Sequence, residues 1–123
     1  MITGLGTAGI WSEDIQKSLL PFYRDVLGMP LSVYTPGFVV LGSGAPGAPS
    51  VTLGTHSEVK GKNADPARHM VGFTTDNIQA DFQRLKSKGV EFIEEPADFP
   101  NVTVATFKDP EGNYLQLLQF KQS

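Results

Sequence analysis

The chain has 123 residues, no cysteine and a formal net charge of −3 at pH 7. The lack of cysteine excludes disulfides, thiolate catalysis and cysteine-ligated metals, and the scattered lysines and arginines argue against nucleic acid as a partner. No apolar run approaches the ~20 residues of a membrane-spanning helix, and the first residues lack the features of a signal peptide. We therefore expect one cytoplasmic domain that binds neither nucleic acid nor membrane.

The first half of the chain predicts a strand, a helix and three further strands. Ser18 is placed to cap the helix and Gly28 to end it, and Pro36-Gly37 predicts a hairpin turn. An apolar stripe at helical spacing is formed by Leu19, Phe22, Tyr23, Val26 and Leu27. The strand signals cover 5–12, Leu31–Thr35, Phe38–Leu41 and 50–55.

The second half repeats this order after a polar segment, 56–68, that is typical of a linker. Asn77 is the expected N-cap of the second helix, and Gly89 ends it. Asp109 is expected to cap a turn at 109–113. The helical stripe consists of Ile78, Phe82 and Leu85. The predicted strands are 70–75, 90–94, Val102–Lys108 and Tyr114–Phe120.

The two halves are also related in sequence, because GIWSEDIQ at 9–16 aligns with GFTTDNIQ at 72–79. A repeat of this length corresponds to a whole supersecondary unit. The sequence therefore predicts an α+β fold in which two βαβββ repeats form a curled mixed sheet around a cleft, with the helices outside. The single domain spans 1–123, with repeat one at 4–55, a linker at 56–68 and repeat two at 69–121.

Three motifs carry a family resemblance: FYRDVLG at 22–28, GVEF at 89–92 and, most strongly, FKDPEGNYLQL at 107–117. In this order they resemble the vicinal oxygen chelate superfamily, which groups glyoxalase I, bleomycin-resistance proteins, fosfomycin-resistance proteins and extradiol dioxygenases. Enzymes of this family hold one divalent metal in the cleft, through side chains of the first and fourth strands of each half. The corresponding positions here are Thr7, Thr52, Met70 and Gln116.

That set of side chains predicts a site without a metal. Hydroxyl, thioether and neutral amide groups are poor ligands for zinc, iron, manganese or nickel, so we expect no metal and no other cofactor. His69 is next to Met70, and only a strand bulge that rotated it inward would bring its imidazole to the cleft.

Strand alternation predicts the rest of the cleft lining. One parity, which includes Ile10, Leu53 and Leu115, is apolar and packs beneath the helices. The other parity mixes aromatic, thioether and small polar side chains around glycines, and suits a neutral, flat organic ligand. The predicted ligand-binding residues are Thr7, Trp11, Thr52, Met70, Thr74, Tyr114 and Gln116. Trp11 is equally compatible with an ordinary core or dimer-contact aromatic.

The leading functional hypothesis is a metal-free small-molecule-binding module that resembles the bleomycin-resistance branch. It sequesters a small aromatic or amphipathic ligand, has no catalytic residue, and is a homodimer by the same resemblance. The alternative is a metal-dependent glyoxalase-like lyase or dioxygenase, with an atypical ligand set drawn from His56, His69, Gln116 or a glutamate. A third hypothesis is an orphan domain that serves as a dimer or as a subunit of a partner.

Overall fold

The computed structural model describes Met1, Thr3 and residues 6–121. The chain forms two compact units, Met1–Gly61 and Lys62–Ser123. The predicted starts of the first strand at residue 5 and of repeat one at residue 4 lie outside the described residues.

The first unit contains one four-stranded sheet and a short helical segment. Its strands are β1 (Ala8–Ser12), β2 (Leu31–Thr35), β3 (Phe38–Leu41) and β4 (Val51–Thr55). They lie in the order β1-β4-β3-β2; β1 is parallel to β4, and the other pairs are antiparallel. The hairpin predicted at Pro36-Gly37 is confirmed, because β2 pairs with β3 on either side of it.

The second unit has the same element order and the same sheet order. Its strands are β5 (Val71–Thr74), β6 (Phe92–Asp98), β7 (Val102–Lys108) and β8 (Tyr114–Phe120), arranged as β5-β8-β7-β6. Helix α2 (Ile78–Ser87) follows β5. The predicted α+β class is therefore correct, with one mixed four-stranded sheet in each unit.

Each sheet has one apolar, buried face, and in the second unit α2 packs against that sheet. In the first unit Leu53, Val39 and Leu41 are fully buried, as are Ile15 and the helical residue Leu19. In the second unit the fully buried strand residues are Ala105, Phe107 and Leu115, and α2 contributes Ile78, Phe82 and Leu85. Each large apolar side chain removed from water in this way contributes about 1.5–3 kcal/mol.

The first helix differs from its prediction. The regular helix α1 covers only Leu19–Pro21, and a π-helical turn follows at Phe22–Val26, closed by a bond from Leu27 N–H to the Phe22 carbonyl at 2.9 Å. Ser18 occupies the N-cap position, but its side chain makes no capping hydrogen bond. A π turn holds more residues than an α turn, so the predicted stripe is displaced and Val26 and Leu27 are only half-buried.

Helix α2 agrees with its prediction. The Asn77 side chain accepts a hydrogen bond from Ala80 N–H at 3.0 Å, and Gly89 follows the helix with a φ of +87°, as expected of a residue that ends a helix. Within the described part of the chain, no helix is long and apolar enough to cross a membrane.

Strand β6 also differs from its prediction, because it continues through Pro96 to Asp98, beyond the predicted end at residue 94. Two irregularities in its pairing with β7, between Phe92 and Glu94 and between Glu94 and Ala97, accompany this extension. The strand lies at the edge of its sheet, where a proline costs no ladder bond, and a bulge accommodates the change in direction.

The turn between β7 and β8 is organised by Asp109, as predicted. Its buried carboxylate accepts hydrogen bonds from Glu111 N–H at 2.9 Å and Asn113 N–H at 3.0 Å, and from Asn113 Nδ2 at 2.8 Å. Asn63, from the predicted linker, donates its backbone N–H to the Glu111 carbonyl at 2.9 Å and so is held against this turn.

Candidate functional site

The face of the first sheet opposite its core is aromatic, uncharged and partly open to solvent. Strand pairing places Gly9 beside Thr52 and Trp11 beside Gly54, and β3 adds its own residues through the Val40–Thr52 and Phe38–Gly54 pairs. We call this surface the Trp11 face; it consists of Gly9, Trp11, Phe38, Val40, Thr52 and Gly54. None of these six residues is charged, so the face suits an uncharged ligand.

The Trp11 indole lies across the sheet because two glycines leave room beneath it. A methyl group at Gly54 would fall 2.1 Å from Cζ3 and 2.4 Å from Cε3 of the indole, so the ring occupies the space that any other residue would fill. The other end of the ring system reaches Gly9, where a methyl group would lie 3.2 Å from Nε1. The indole therefore contacts the sheet along its length and remains 47% exposed.

Two polar groups of the Trp11 face have no hydrogen-bond partner within the described chain: the indole N–H of Trp11 and the hydroxyl of Thr52. Thr52 is only 7% exposed, and its Oγ1 would lie 3.3 Å from a methyl group at Gly9. Among the described residues no fully buried side-chain nitrogen or oxygen lacks a hydrogen-bond partner, so the Thr52 oxygen is still reached by solvent, and Trp11 is about half exposed. These two groups are therefore available to a ligand.

His56, the first residue of the predicted linker, is exposed and also belongs to the surroundings of Trp11. Its ring meets the indole edge-on, with ring centroids 6.0 Å apart and planes at 79°. Its Nδ1 accepts a hydrogen bond from Glu58 N–H at 3.1 Å, which orients the imidazole. The signal was present in the sequence, because continuing the alternation of β4 beyond Gly54 places His56 on the same face.

Thr7, also predicted to bind ligand, lies just before β1 and is exposed. Its hydroxyl donates to the Ser50 carbonyl at 3.0 Å and accepts from Ser50 Oγ at 2.9 Å. Thr7 is thus hydrogen-bonded to Ser50, whereas Trp11 and Thr52 both lie on the Trp11 face.

The second sheet carries the remaining predicted residues on its own face opposite the core. Pairing aligns Gly72 with Gln116 and Thr74 with Leu118, and β7 places Thr106 beside Gln116. We call this the Gln116 face; it consists of Gly72, Thr74, Thr106, Tyr114, Gln116 and Leu118. No partner within the described residues bonds to the Gln116 amide or the Thr106 hydroxyl.

The two faces differ at their equivalent glycines. In the second unit a methyl group at Gly72 would lie 2.8 Å from Cδ1 of Leu118, so an aliphatic side chain lies above this glycine. Met70 precedes β5 and is 40% exposed. The Gln116 face therefore offers aliphatic and amide contacts where the Trp11 face offers an aromatic ring.

The donor set at the positions equivalent to the family's metal ligands does not fit a divalent metal of the zinc or iron kind. Thr7 and Thr52 present neutral hydroxyls, Met70 a thioether and Gln116 a neutral amide, whereas such metals require imidazole, carboxylate or thiolate. His69 is exposed and lies outside β5. Among residues 6–121, with Met1 and Thr3, no cluster of three or more histidine, aspartate or glutamate side chains is placed to hold a metal ion.

An open groove of about 690 Å³ in the second unit has none of the predicted ligand-binding residues in its lining. It is lined by Thr75, Asp76, Ile78, Gln79, Asp98, Thr103, Gln119, Phe120 and Lys121. Several of its polar groups already bond to one another: Gln119 Oε1 accepts from Ile78 N–H at 2.8 Å, and Thr103 Oγ1 donates to Asp98 at 2.7 Å. These polar groups are therefore already engaged within the chain.

The curated relatives of this chain include one that matches along its whole length and one that matches in part, both from Bacillus subtilis (strain 168). The uncharacterized protein YetH is 26% identical over 123 residues, which cover 95% of this chain and 98% of YetH. The uncharacterized protein YurT is 45% identical over 47 residues, which are 38% of this chain and only 37% of YurT.

The fold is similar to that of TnmS3, an antibiotic binding protein from Streptomyces sp. CB03234, with a TM-score of 0.77, 24% identity and 98% coverage of both chains. The family model that matches the sequence is described as Glyoxalase/Bleomycin resistance protein/Dioxygenase superfamily, and it spans residues 4–117. This confirms the resemblance seen in the sequence: the chain belongs to the glyoxalase/bleomycin resistance protein/dioxygenase superfamily.

Proposed function

We propose that this protein is a metal-free small-molecule-binding module of the bleomycin-resistance type, which sequesters a flat, uncharged aromatic ligand without transforming it. The observation that carries the proposal is the Trp11 indole, held flat over Gly9 and Gly54 with about half of its surface in solvent. A ring in this position is ready to stack with a planar ligand.

The energetics of stacking support this function. Trp11 is 47% exposed and Phe38, on the same face, is 39% exposed. Covering roughly 100 Å² of this apolar surface with a ligand contributes about 2.5 kcal/mol, before any contribution from the matching ligand surface. The indole is already fixed against the sheet, so little side-chain entropy is lost on binding.

The Gln116 face is proposed to bind ligand as well, through Met70, Thr74, Tyr114 and Gln116. Its support is the Gln116 amide, which has no partner within the described residues, together with the exposed thioether of Met70, a group that adapts to varied apolar shapes. The antibiotic-binding function stated for TnmS3 is consistent with such a role, although the likeness itself concerns the fold.

Ligand binding is tested by equilibrium dialysis of two planar probes, 9-fluorenone and fluorene, against wild-type protein, Trp11→Leu and Phe99→Leu. Phe99 is the matched control, an exposed aromatic residue (51%) outside both faces. We expect Trp11→Leu to weaken binding of both probes about tenfold or more, the equivalent of one stacking interaction, while Phe99→Leu leaves binding unchanged. Unaltered affinity in Trp11→Leu, or equal losses in both variants, would contradict the proposal.

The rival hypothesis, a metal-dependent lyase or dioxygenase, is tested by metal analysis of untagged protein after refolding with iron, manganese, nickel or zinc. The proposal expects far less than one equivalent of each, because the four donor positions hold neutral, weakly basic groups. A Met70→His, Gln116→Glu double variant serves as the comparison, since it restores an imidazole and a carboxylate. Stoichiometric metal in the wild type would overturn the metal-free assignment.

We further propose that the module is a homodimer. Strand β2 is the edge strand of its sheet and is exposed along its whole length, including Val33 and Tyr34. An exposed apolar edge strand presents unpaired N–H and C=O groups that can pair with another chain. Sedimentation equilibrium is expected to give twice the 13.3 kDa chain mass, and a Val33→Lys, Tyr34→Lys variant is expected to shift it to the monomer. A wild-type protein that is monomeric at all concentrations would contradict this.

A further inference from the structure

The imidazole of His56 stands beside the Trp11 indole, and three hydrogen bonds hold the residue in place. Its backbone N–H donates to the Ser12 carbonyl at 2.9 Å, its carbonyl accepts from Val59 N–H at 3.2 Å, and its Nδ1 accepts from Glu58 N–H at 3.1 Å. The imidazole centroid lies 6.0 Å from that of the indole, with the two planes at 79°. The imidazole therefore borders the ring on which a planar ligand is proposed to stack.

The hydrogen bond from Glu58 specifies which form of the imidazole is present. A ring nitrogen that accepts a hydrogen bond carries no proton, so the imidazole of His56 is neutral, with its proton on Nε2. Histidine is the side chain whose charge changes between about pH 5 and 8. Protonation of Nδ1 turns this acceptor into a donor that faces the Glu58 N–H, so the imidazolium has to leave its present position.

Few other charges surround His56. Strands β1, β3 and β4 carry no charged side chain. Glu58 lies two residues further on, Glu13 and Asp14 follow β1, and Lys60 pairs with Glu13 at 3.6 Å. Within the described chain none of these four side chains bonds to the imidazole. Carboxylates and ammonium groups ordinarily keep their charge between about pH 5.5 and 8, so a change of charge in this range belongs to the imidazole.

We propose that His56 is a further residue of the ligand site and determines the charge of the ligands that the site accepts. The proposal rests on the binding function assigned above and makes it more specific. A three-ring ligand stacked on the Trp11 indole is long enough to cover the imidazole, because the two centroids are 6.0 Å apart. Covering a neutral imidazole costs little, whereas covering an imidazolium removes water from a charge. The neutral form therefore favours uncharged ligands, and the imidazolium favours anionic ones.

The test compares two probes that share one planar skeleton, uncharged 9-fluorenone and anionic 9-fluorenone-2-carboxylate. Their affinities are measured by equilibrium dialysis at about pH 8 and about pH 5.5, for the wild type, His56→Gln and His69→Gln. His56→Gln removes the titratable ring and keeps an uncharged polar side chain. His69→Gln is the matched control, because His69 is the other of the two histidines and is exposed outside both faces.

We expect acidification to weaken wild-type binding of fluorenone about fivefold or more, and to strengthen binding of the carboxylate. His69→Gln should respond like the wild type, whereas both responses should disappear in His56→Gln. Wild-type affinities that do not depend on pH, or a dependence that persists in His56→Gln, would overturn the role of His56 and leave the binding function intact. Failure of both probes to bind at either pH would overturn both proposals.

Discussion

Replacing Gly54 by alanine is the sharpest structural perturbation of the Trp11 face. The added methyl would lie 2.1 Å from Cζ3, 2.4 Å from Cε3 and 3.1 Å from Cη2 of Trp11, so the ring and the methyl group exclude each other. Gly54 lies inside β4, paired with Trp11 on one side and Phe38 on the other, and its backbone conformation is open to alanine. We therefore expect the strand to persist and the indole to be displaced into solvent.

The cost follows from the surface that the indole now covers. Trp11 is 47% exposed, so about half of its roughly 250 Å² is in contact with the protein. Exposing all of that surface costs about 3 kcal/mol at 25 cal/mol per Å². Alanine restricts the unfolded chain more than glycine does, and this offsets about 0.4–1 kcal/mol of the loss in stability. We expect Gly54→Ala to lower the free energy of unfolding by about 2–2.5 kcal/mol.

Trp11 is the single tryptophan of the chain, so its fluorescence reports this displacement directly. Urea unfolding gives the free energy, and the emission maximum of the native state should shift to longer wavelength in Gly54→Ala. Gly37→Ala is the control, because its methyl would meet nothing within 4 Å; it is expected to stay within about 0.5 kcal/mol of the wild type with unchanged emission. If Gly54→Ala matches this control in both stability and emission, the indole does not lie over Gly54 and the reasoning is wrong.

Three further predictions concern the second unit. Asn77→Ala removes the bond to Ala80 N–H and should cost about 1 kcal/mol in urea unfolding, with Asn77→Ser recovering most of it. Asp109→Ala leaves the 109–113 turn without its carboxylate acceptor and should cost about 2–4 kcal/mol, and a loss below about 1 kcal/mol would show that the turn is held by other contacts. The hydrogen bond from Thr103, helped by Lys121, lowers the pKa of Asp98. The stability that the ionised Asp98 carboxylate contributes is therefore present above the ordinary pKa of an aspartate and disappears as the pH falls through the lowered pKa of Asp98. The wild type should exceed Asp98→Asn in stability at about pH 7 and lose that advantage at about pH 2, as measured by urea unfolding at each pH; an advantage that persists in acid would refute the assignment.

Periodicity and turn chemistry were sufficient to predict most of the secondary structure. The α2 stripe, the Asn77 cap, the Pro36-Gly37 hairpin and the Asp109 turn all depend on contacts between residues near in sequence, which local patterns report well. The π turn at Phe22–Val26 was not predictable in this way, because the same apolar stripe is compatible with α or π hydrogen bonding. The passage of β6 through Pro96 depends on its being an edge strand, which is a property of the sheet.

The sequence predicted that Trp11 and Thr52 share a face, but not how the side chains of the candidate site are arranged. The alternation of side chains along the first and fourth strands predicted that Trp11 and Thr52 lie on one face. The strand pairing agrees, because Gly9 is paired with Thr52 and Trp11 with Gly54. The position of the indole over Gly54 and Gly9 requires a side-chain conformation that no sequence pattern encodes. The engagement of Thr7 with Ser50 joins residues far apart in the chain, and it too appears only in three dimensions.

The central claim, that Trp11 forms the floor of a ligand site, is tested most directly by the indole N–H signal in a proton–nitrogen correlation spectrum. A single tryptophan gives a single such signal, so its assignment is unambiguous. Our account predicts that 9-fluorenone shifts this signal in a saturable way, with a dissociation constant equal to that from dialysis, and that the shift is absent in Gly54→Ala. An indole signal that stays in place at saturating fluorenone, while backbone signals elsewhere move, would contradict it.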